Sequence, residues 1–269
     1  MKHAMKYWAG VAVMILLAPG GGLAADGDYD GDGTSDLAFF RPSNGLWSIR
    51  GVTRIYFGVS ADEPVPGDYD GNGTWEPAYW RYANGLWKVR GTTTFYFGKS
   101  GDSPVPGDFD GDGTYNPAYY RFDNGLWSIR GVTRLYFGTS TDRPLAGDFN
   151  GDGAQDPSYY RYENGFWKVR GVTSVYFGTM QDDPIPADYD GDGSCDFAYF
   201  RSTKGLWSIR GVTRIYFARC GDDTAPADYD GDGTSDLAYF RNTTGFWKVR
   251  GITSLYFGLS GDEQVTNPH

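Results

Sequence analysis

Histidine and cysteine are scarce in this sequence, with two of each among 269 residues. His3 lies near the start of the chain and His269 is its last residue, so the residues between them offer no histidine for a Ser-His-Asp or Cys-His arrangement. The same shortage argues against zinc and other metals that prefer nitrogen or sulfur ligands. The sequence therefore predicts a protein that is not an enzyme, although residue counts alone leave paired carboxylates for glycoside hydrolysis open.

Positive charge and long apolar runs are also lacking. The chain has 24 Lys and Arg against 34 Asp and Glu, which disfavours a nucleic-acid partner because no basic surplus exists to neutralise phosphates. The apolar run at residues 7–18 is shorter than the roughly 20 residues that span a membrane, so we expect no membrane span. Because Lys2 and Lys6 precede this run and small residues fill positions 20–25, residues 1–25 are predicted to be a signal peptide. We therefore expect an exported protein, in the periplasm, at the cell surface or secreted.

The sequence does contain a nine-residue acidic loop that recurs six times at a spacing of 40 residues, without insertion or deletion. Its first copy, at residues 28–36, reads DYDGDGTSD. Such a period indicates a repeat architecture in which each copy is one supersecondary unit. Residues 26–269 are therefore predicted to form one domain of six repeats, at residues 27–66, 67–106, 107–146, 147–186, 187–226 and 227–266.

The composition of this loop predicts one calcium site per repeat. Side-chain oxygens at loop positions 1, 3, 5 and 9, with the backbone carbonyl of position 7, would supply the oxygen ligands that Ca²⁺ prefers. Glycine at position 6 permits a sharp turn, as in EF-hand loops, but position 12 is Phe39 rather than the EF-hand glutamate. The predicted ligands of up to six Ca²⁺ ions are Asp28, Asp30, Asp32, Thr34, Asp36, Asp68, Asp70, Asn72, Thr74, Glu76, Asp108, Asp110, Asp112, Thr114, Asn116, Asp148, Asn150, Asp152, Ala154, Asp156, Asp188, Asp190, Asp192, Ser194, Asp196, Asp228, Asp230, Asp232, Thr234 and Asp236.

The acidity of the chain is concentrated in these loops, which hold 21 of the 34 carboxylates. The charge therefore indicates metal ligands rather than a basic partner. The first, fifth and sixth loops have four carboxylates each, whereas Asn72, Asn116 and Asn150 each replace one in the others. We expect tighter binding in the first, fifth and sixth loops. The weakest binding is expected in the third, where Asn116 stands at the usually bidentate ninth position.

Between the acidic loops, each repeat is predicted to form four short β-strands. Residues 36–41 are rich in aromatic side chains, and residues 46–50 alternate between two faces. The Asn44-Gly45 dipeptide between them predicts a two-residue type I′ hairpin. Residues 53–57 form the next strand, and the Pro-Val-Pro stretch at residues 64–66 leads into the following loop as an extended segment.

Six such units predict an all-β fold, a six-bladed β-propeller of 40-residue, four-stranded repeats with one calcium loop per blade. The first repeat starts at its loop and lacks the lead-in segment, whereas residues 263–266 match residues 63–66. We therefore expect the end of the chain to supply the innermost strand of the first blade. The polar caps that end an open solenoid are not seen in the sequence.

A second pattern alternates from one repeat to the next. Ser48 and Arg54 of the first repeat are replaced by Lys88 and Thr94 in the second, and this exchange recurs through all six. The two positions are symmetric about the Gly51 turn, so they are expected to be cross-strand neighbours. Each blade would then keep one additional cation at the same place.

Residues that recur in every repeat are assigned to structure rather than to binding. The tryptophans Trp47, Trp87, Trp127, Trp167, Trp207 and Trp247 are predicted to form the core between blades, with sugar stacking as the alternative. The aspartates of the Asp62 series are expected to cap the turn between blades. The cysteines, Cys195 and Cys220, are predicted to lie on opposite faces as unpaired thiols, because about five strand residues would separate them.

The acidic loop Asp-x-Asp-Gly-Asp-Gly-x-x-Asp, together with Phe57-Gly58 and the following Pro-Val-Pro-Gly-Asp stretch, resembles the FG-GAP or VCBS repeats. The resemblance covers residues 27–266. It implies a calcium-stabilised β-propeller of the kind found in integrin α-subunits and in many exported bacterial proteins, with adhesion or recognition as its function, and it includes related propellers that are lectins. Ala218, in place of the glycine of the Phe-Gly pair, departs from the pattern in the fifth repeat.

Aromatic residues that break the repeat symmetry are the candidate ligand contacts, with drift on a tolerant rim as the alternative. They are Tyr82, Phe122 and Tyr162 beside the Asn-Gly turns, and Trp75 and Tyr115 within the acidic loops. We therefore expect a non-catalytic recognition or adhesion module that binds glycans or surface proteins of the extracellular space. The alternative is a structural subunit that self-assembles into a surface layer, a filament or an extracellular complex.

Overall fold

The protein is an all-β, six-bladed β-propeller, as the repeats predict. The structure is a computed structural model that describes residues 26–266, so the predicted signal peptide lies outside the described residues. Each blade is a four-stranded antiparallel sheet, and one short 3-10 helix lies at Ser202–Lys204. Within residues 26–266, no helix has the length and apolar character needed to cross a membrane.

The strands occupy equivalent positions in all blades. The innermost strands of blades one to six are β24 (Glu263–Gln264), β4 (Asp62–Pro64), β8 (Asp102–Pro104), β12 (Asp142–Gly147), β16 (Asp183–Pro184) and β20 (Asp223–Thr224). The second strands are β1 (Ala38–Arg41), β5 (Ala78–Arg81), β9 (Ala118–Arg121), β13 (Asp156–Arg161), β17 (Ala198–Arg201) and β21 (Ala238–Arg241). The third strands are β2 (Leu46–Ile49), β6 (Leu86–Val89), β10 (Leu126–Ile129), β14 (Phe166–Val169), β18 (Leu206–Ile209) and β22 (Phe246–Val249). The outer strands are β3 (Thr53–Tyr56), β7 (Thr93–Tyr96), β11 (Thr133–Tyr136), β15 (Thr173–Tyr176), β19 (Thr213–Tyr216) and β23 (Thr253–Tyr256).

The end of the chain closes the ring, which confirms the prediction made from residues 263–266. Strand β24 pairs antiparallel with β1, with Glu263 opposite Phe40 and Gln264 opposite Phe39. The buried Val265 continues this pairing, because its amide donates to the carbonyl of Ala38 at 3.1 Å. Blade one is therefore built from both ends of the described chain.

The recurring tryptophans form the core between blades, as predicted. Trp47 is fully buried, packs against Phe40 of its own blade, and donates its Nε1–H to the carbonyl of Phe57 at 2.8 Å. Its five equivalents are also fully buried. A buried indole whose N–H is bonded inside the protein cannot stack on a sugar. Trp167 shows the contact between blades, because its ring packs edge-on against Phe197 of the next blade, with the centroids 5.4 Å apart.

Buried ion pairs fix the innermost strand of every blade. Arg41 holds Asp262 through two hydrogen bonds, from Nε to Oδ1 at 2.6 Å and from Nη2 to Oδ2 at 2.7 Å. The aspartate also accepts from a linker amide, that of Leu259, so the predicted turn cap is confirmed. The ion pair recurs in the other blades as Arg81–Asp62, Arg121–Asp102, Arg161–Asp142, Arg201–Asp182 and Arg241–Asp222.

The strand register places the acidic loops and the Gly51-type turns at the same end of each blade. Ala38 pairs with Ile49, and Ile49 pairs with Thr53, so the loop before β1 and the turn after β2 lie together. We call this end of the propeller the loop face. Ser48 pairs with Arg54 and, in the next blade, Lys88 pairs with Thr94, which confirms the predicted cross-strand exchange.

The hairpin at the opposite end differs from the predicted two-residue type I′ turn. Four residues, 42–45, connect β1 and β2, and the amide of Gly45 donates to the carbonyl of Arg41 at 2.9 Å. Gly45 has a φ of 71°, but Asn44 is not left-handed. Asn44 instead accepts a hydrogen bond from the Leu46 amide through Oδ1 at 3.1 Å, so its side chain stabilises the longer loop.

The two cysteines are free thiols, as predicted. Cys195 is partly buried in the fifth acidic loop, and Cys220 is exposed between the fifth and sixth blades. Burial raises the pKa of the Cys195 thiol, so this cysteine is held in its unreactive protonated form.

Candidate metal sites and surface aromatics

The first acidic loop is folded around the carboxylate at its first position. Asp28 accepts hydrogen bonds from the amides of Gly31 and Gly33, at 2.6 and 2.9 Å. Both glycines have positive φ, 79° and 88°, a conformation that allows their amides to turn back towards Asp28. The loop is therefore shaped by hydrogen bonds from its own backbone amides to the Asp28 side chain.

The other acidic side chains of this loop are also held in place. Asp32 accepts from the amide and the hydroxyl of Thr34, at 2.9 and 2.6 Å. Asp36 accepts from the amide of Tyr29 through Oδ2 at 2.9 Å. Asp32 and Asp36 thus each use one oxygen to stabilise the loop, whereas Asp28 uses both.

Three carboxylates converge in five of the six loops, with one oxygen from each lying within 4.8 Å of the others. The clusters are Asp28, Asp30 and Asp32; Asp68, Asp70 and Glu76; Asp108, Asp110 and Asp112; Asp188, Asp190 and Asp196; and Asp228, Asp230 and Asp236. The donors are all oxygens, and this donor set fits a hard cation such as Ca²⁺ or Mg²⁺ and not zinc. The sequence-predicted residues at positions 1 and 3 are brought together in all five, with the third member from position 5 or 9.

The fourth loop is different among the residues that the structure describes. Asn150 stands at its third position, and its Nδ2 donates to both carboxylate oxygens of Asp156, at 3.4 and 3.3 Å. An N–H group therefore faces the carboxylate where the other loops place an oxygen. The third loop, expected to bind most weakly, still brings three aspartates together. The predicted ranking of calcium affinities stays a prediction. Within the described residues, the fourth loop is the one in which three carboxylates do not converge.

The carboxyl groups at the ninth position are partly withdrawn from water. Burial, reinforced by neighbouring carboxylates, raises the pKa of Asp36 and Asp196 to about 6 and that of Glu76 to about 7. Asp156 and Asp236 behave alike, with pKa values raised to about 6. At the fifth position the effect is opposite, because the Thr34 hydroxyl and amide lower the pKa of Asp32. A cation would remove the repulsion that these groups share.

Trp75 and Tyr115, predicted to be exposed contacts, are not exposed aromatics. Trp75 is only 5% exposed and packs against Tyr29 and Tyr115, with ring centroids 6.1 and 5.5 Å away. The reason is a backbone hydrogen bond between neighbouring loops, from the Trp75 amide to the Asp28 carbonyl at 2.7 Å, which directs this side chain inwards. Tyr115 is partly buried beside it and donates its hydroxyl to Asp26.

The three aromatics beside the hairpins do not form one patch. Tyr82 is 52% exposed, as expected. Phe122 and Tyr162 are partly buried, and each packs edge-on against the aromatic residue two positions earlier, Tyr120 or Tyr160, with the ring centroids 5.1 and 5.2 Å apart. The Tyr162 hydroxyl also accepts from Arg143 Nη1 at 2.9 Å, so this side chain serves the fold as well.

Sequence reasoning missed a ring of exposed tyrosines on the outer strands. Every blade ends its outer strand with a tyrosine that is between 70% and 75% exposed. They are Tyr56, Tyr96, Tyr136, Tyr176, Tyr216 and Tyr256. Their exact repetition made them resemble core residues, whereas the period-2 alternation within the outermost strand could have shown that they face outwards.

The fold resembles solved structures at very low sequence identity. A lectin from Agrocybe aegerita, described as specifically recognising non-reducing terminal N-acetylglucosamine, superposes with a TM-score of 0.53 at 14% identity, over 90% of this chain and 79% of the lectin. BBS1N, solved in complex with ARL6DN, gives a TM-score of 0.49 at 11% identity, over 81% of this chain and 75% of that chain. No protein-family model and no curated protein matches the sequence. The likeness is one of fold.

Proposed function

We propose that this protein is an exported, calcium-stabilised β-propeller that acts as a non-catalytic recognition module for glycans. The observation that carries the proposal is the sixfold ring of exposed tyrosines. Large aromatic side chains that stay in water on every blade are unusual in a soluble protein, and they suit a repeated ligand. The similarity of the fold to a lectin supports this choice of ligand class.

Calcium is proposed as the ion of the acidic loops. When bound, it would neutralise the converging carboxylates and tie the loop to the start of the second strand. The resemblance to FG-GAP and VCBS repeats is part of the same proposal. The residues that would hold the ion are those at loop positions 1, 3, 5 and 9, and their oxygen-only chemistry supports calcium over a transition metal.

The proposal is tested with residues 26–269 on a broad glycan array, once in millimolar calcium and once after removal of divalent ions. We expect binding to a defined set of glycans that weakens when the ions are removed. Circular dichroism and thermal melting under both conditions report whether the fold persists. A blank array from a folded, calcium-loaded protein would contradict glycan recognition and favour a protein partner or self-assembly, which sedimentation at several concentrations then distinguishes.

A further inference from the structure

Open grooves lie between neighbouring blades beside the Gly51-type turns. One groove, of about 330 Å³, is lined by Phe57 of blade one and residues 88–94 of blade two. A second, of about 280 Å³, is lined by Phe257 of blade six and residues 48–54 of blade one. The two linings are equivalent in the repeat, so the same construction occurs at different points of the ring. We call each of these spaces an inter-blade groove.

Both grooves contain two cations and no carboxylate among their lining residues. The first has Lys88 and Arg90, and the second has Arg50 and Arg54. One cation, equivalent to Arg50, occupies the same position in every repeat. The other is a lysine on the third strand in even blades and an arginine on the outer strand in odd blades. The residue and its strand change, but a positive charge remains at the same cross-strand pair.

These cations have no ionic partner within residues 26–266. Twelve of the 22 Lys and Arg residues in this range belong to the two groove series. Every member of the Arg41 series, by contrast, is paired with a buried aspartate. The chain carries a formal net charge of −10, so positive groups without counter-charges are confined to a protein that is otherwise acidic. Such an arrangement attracts an anionic group.

Aromatic packing accounts for only part of these side chains. The Lys88 ammonium lies 5.5 Å from the centroid of Phe57, and the Arg130 guanidinium lies 3.9 Å from that of Phe95. A cation over a ring uses its face and leaves N–H donors directed elsewhere. The stacking therefore positions these cations and leaves them able to bind an anion.

The exposed tyrosines stand on the same side of the outer strand as the groove. Tyr96 lies two residues beyond Thr94 in β7, so both side chains project from the same face of the sheet, about 7 Å apart. Thr94 is the cross-strand partner of Lys88, and Tyr96 is the partner of Leu86. Where the partner is phenylalanine, the tyrosine is held against it, as in the Phe166–Tyr176 pair at 4.9 Å. A cation and an exposed tyrosine are thus neighbours in each blade, and in blades four and six the tyrosine ring is also held against a phenylalanine.

We propose that the inter-blade grooves bind acidic saccharides. The tyrosine ring packs against a sugar ring, and the two groove cations hold the carboxylate or sulfate of that sugar or its neighbour. This inference rests on the proposed glycan recognition and names its ligand class. The two groove cations recur in all six repeats, and this repetition suits a polymer that repeats the same acidic unit.

The test measures binding of residues 26–269 by titration calorimetry in calcium, with saccharides that differ in charge. Oligogalacturonate is compared with its methyl ester, which has the same rings without the negative charge. A heparin oligosaccharide distinguishes sulfate from carboxylate, and chitotetraose is the neutral probe. We expect an acidic probe to bind at least about tenfold more tightly than the methyl ester and chitotetraose, since each lost charge-assisted hydrogen bond costs about one decade of affinity.

Substitutions distinguish binding by the groove cations from a general effect of the protein's net charge. The triple change Lys88→Met, Lys168→Met and Lys248→Met keeps the apolar stems over the neighbouring rings but removes the charges. The matched control is Lys99→Met, Lys204→Met and Arg219→Met, which removes three exposed cations that lie outside the grooves. We expect the groove variant to lose at least about fivefold in affinity for the acidic probe, and the control to lose less than twofold. Changing Tyr96, Tyr176 and Tyr256 to Ser should weaken binding of the same probe.

The outcomes keep the inference distinct from the proposed function. If acidic and neutral saccharides bind equally and the groove variant behaves like its control, glycan recognition stands and the acidic groove is refuted. If the acidic probe binds but only the Tyr82→Ser variant weakens it, the site lies at the hairpins and the groove assignment is overturned. If no saccharide binds the folded protein, both proposals fail.

Discussion

Gln155 fills the space beside Gly107 that a side chain at that position would need. A Cβ placed on Gly107 would overlap Oε1 of Gln155 in the next blade, and a Cβ on Gly67 would likewise meet the ring of Tyr115. The equivalent residues of the fifth and sixth repeats are Ala187 and Ala227, and the loops that follow them carry only serine at the corresponding position, Ser235 and Ser35. Neighbouring loops are thus matched in size, small against large.

Gly107→Ala is therefore expected to destabilise the protein by about 2 kcal/mol, because the added methyl group overpacks the contact with Gln155. Combining it with Gln155→Ser should recover most of the loss, since that pair occurs naturally as Ala187 with Ser235. Urea unfolding of the two single variants and the double variant measures the coupling. Additive effects would show that the two positions do not interact.

Ala218 has a φ of 140°, where the other blades have a left-handed glycine such as Gly178. Ala218→Gly should relieve this strain and stabilise the protein by about 1 kcal/mol, although the freer unfolded chain offsets part of the gain. Gly178→Ala is the reverse change at the equivalent site and should destabilise by a similar amount or more. Thermal unfolding at equal calcium concentration compares the two. A less stable Ala218→Gly protein would contradict the interpretation that the backbone is strained at Ala218.

Deleting residues 263–269 should open the ring. The deletion removes β24, the buried Val265 and the hydrogen bond from Thr266 Oγ1 to the carbonyl of Asp36 at 2.6 Å. It also leaves the edge of β1 unpaired, so we expect a loss of more than about 4 kcal/mol and self-association through that edge. Light scattering and thermal melting report both effects. Deleting only residues 267–269 is the control and should leave the protein monodisperse.

Asn150→Asp should add a strong calcium site in the fourth loop. The change replaces the N–H group that faces Asp156 by an oxygen ligand, so three carboxylates can then converge on one ion. Calorimetry with calcium should show one more tight site, or at least a tenfold gain at one site. Asn164→Asp adds the same charge in a hairpin and serves as the control. If Asn150→Asp and Asn164→Asp bound calcium with equal affinity, the Asn150 side chain would not be what limits calcium binding in the fourth loop.

The response of stability to pH should change sign when calcium is removed. In the metal-free protein the pKa of Glu76 is raised from 4.5 to about 7 by burial and by its acidic neighbours, so the folded state binds a proton that the unfolded state lacks between those values. Stability should then rise as the pH falls from 7.5 to 5.5. With calcium bound, protons compete with the ion and stability should fall over the same range.

Thermal melting at pH 7.5 and pH 5.5, with and without calcium, checks whether the pH dependence of stability changes sign. Glu76→Gln should flatten the pH dependence of the metal-free protein, because the amide does not titrate. Asp123→Asn, an exposed carboxylate of a hairpin, is the matched control. Parallel pH curves in the presence and absence of calcium would argue against a cation in these loops.

Much of the fold could be predicted from the sequence because the same strand and turn pattern recurs in all six repeats. The exchange of Ser48 with Arg54 for Lys88 with Thr94 predicted the strand register, and residues 263–266 predicted the closing strand. The predicted hairpin was wrong because propensity favours a two-residue turn at Asn-Gly, whereas the pairing of Arg41 with Leu46 leaves four residues to connect. Local propensity gave way to the register of the sheet.

The site was less predictable than the fold. Convergence of three carboxylates could be inferred for five loops from residue type alone, but the Asn150–Asp156 hydrogen bond depends on side-chain geometry that a pattern does not contain. Trp75 was assigned to the surface because it breaks the repeat symmetry. Its burial depends on a contact with the neighbouring loop, through the Asp28 carbonyl, and the sequence gives no sign of such a contact between repeats.

The meeting of Gly27 with Thr266 in blade one has a topological consequence. The six sheets form a cycle, so the position at which the polypeptide is interrupted is a property of the chain and not of the architecture. A circular permutant that joins these two residues by a short linker, and is cut at the exposed segment around Cys220, should therefore reach the same propeller. In that molecule every blade would be built from one continuous segment, so the ring would close by packing of the fifth blade against the sixth, and the slow step of ring assembly would move to that junction.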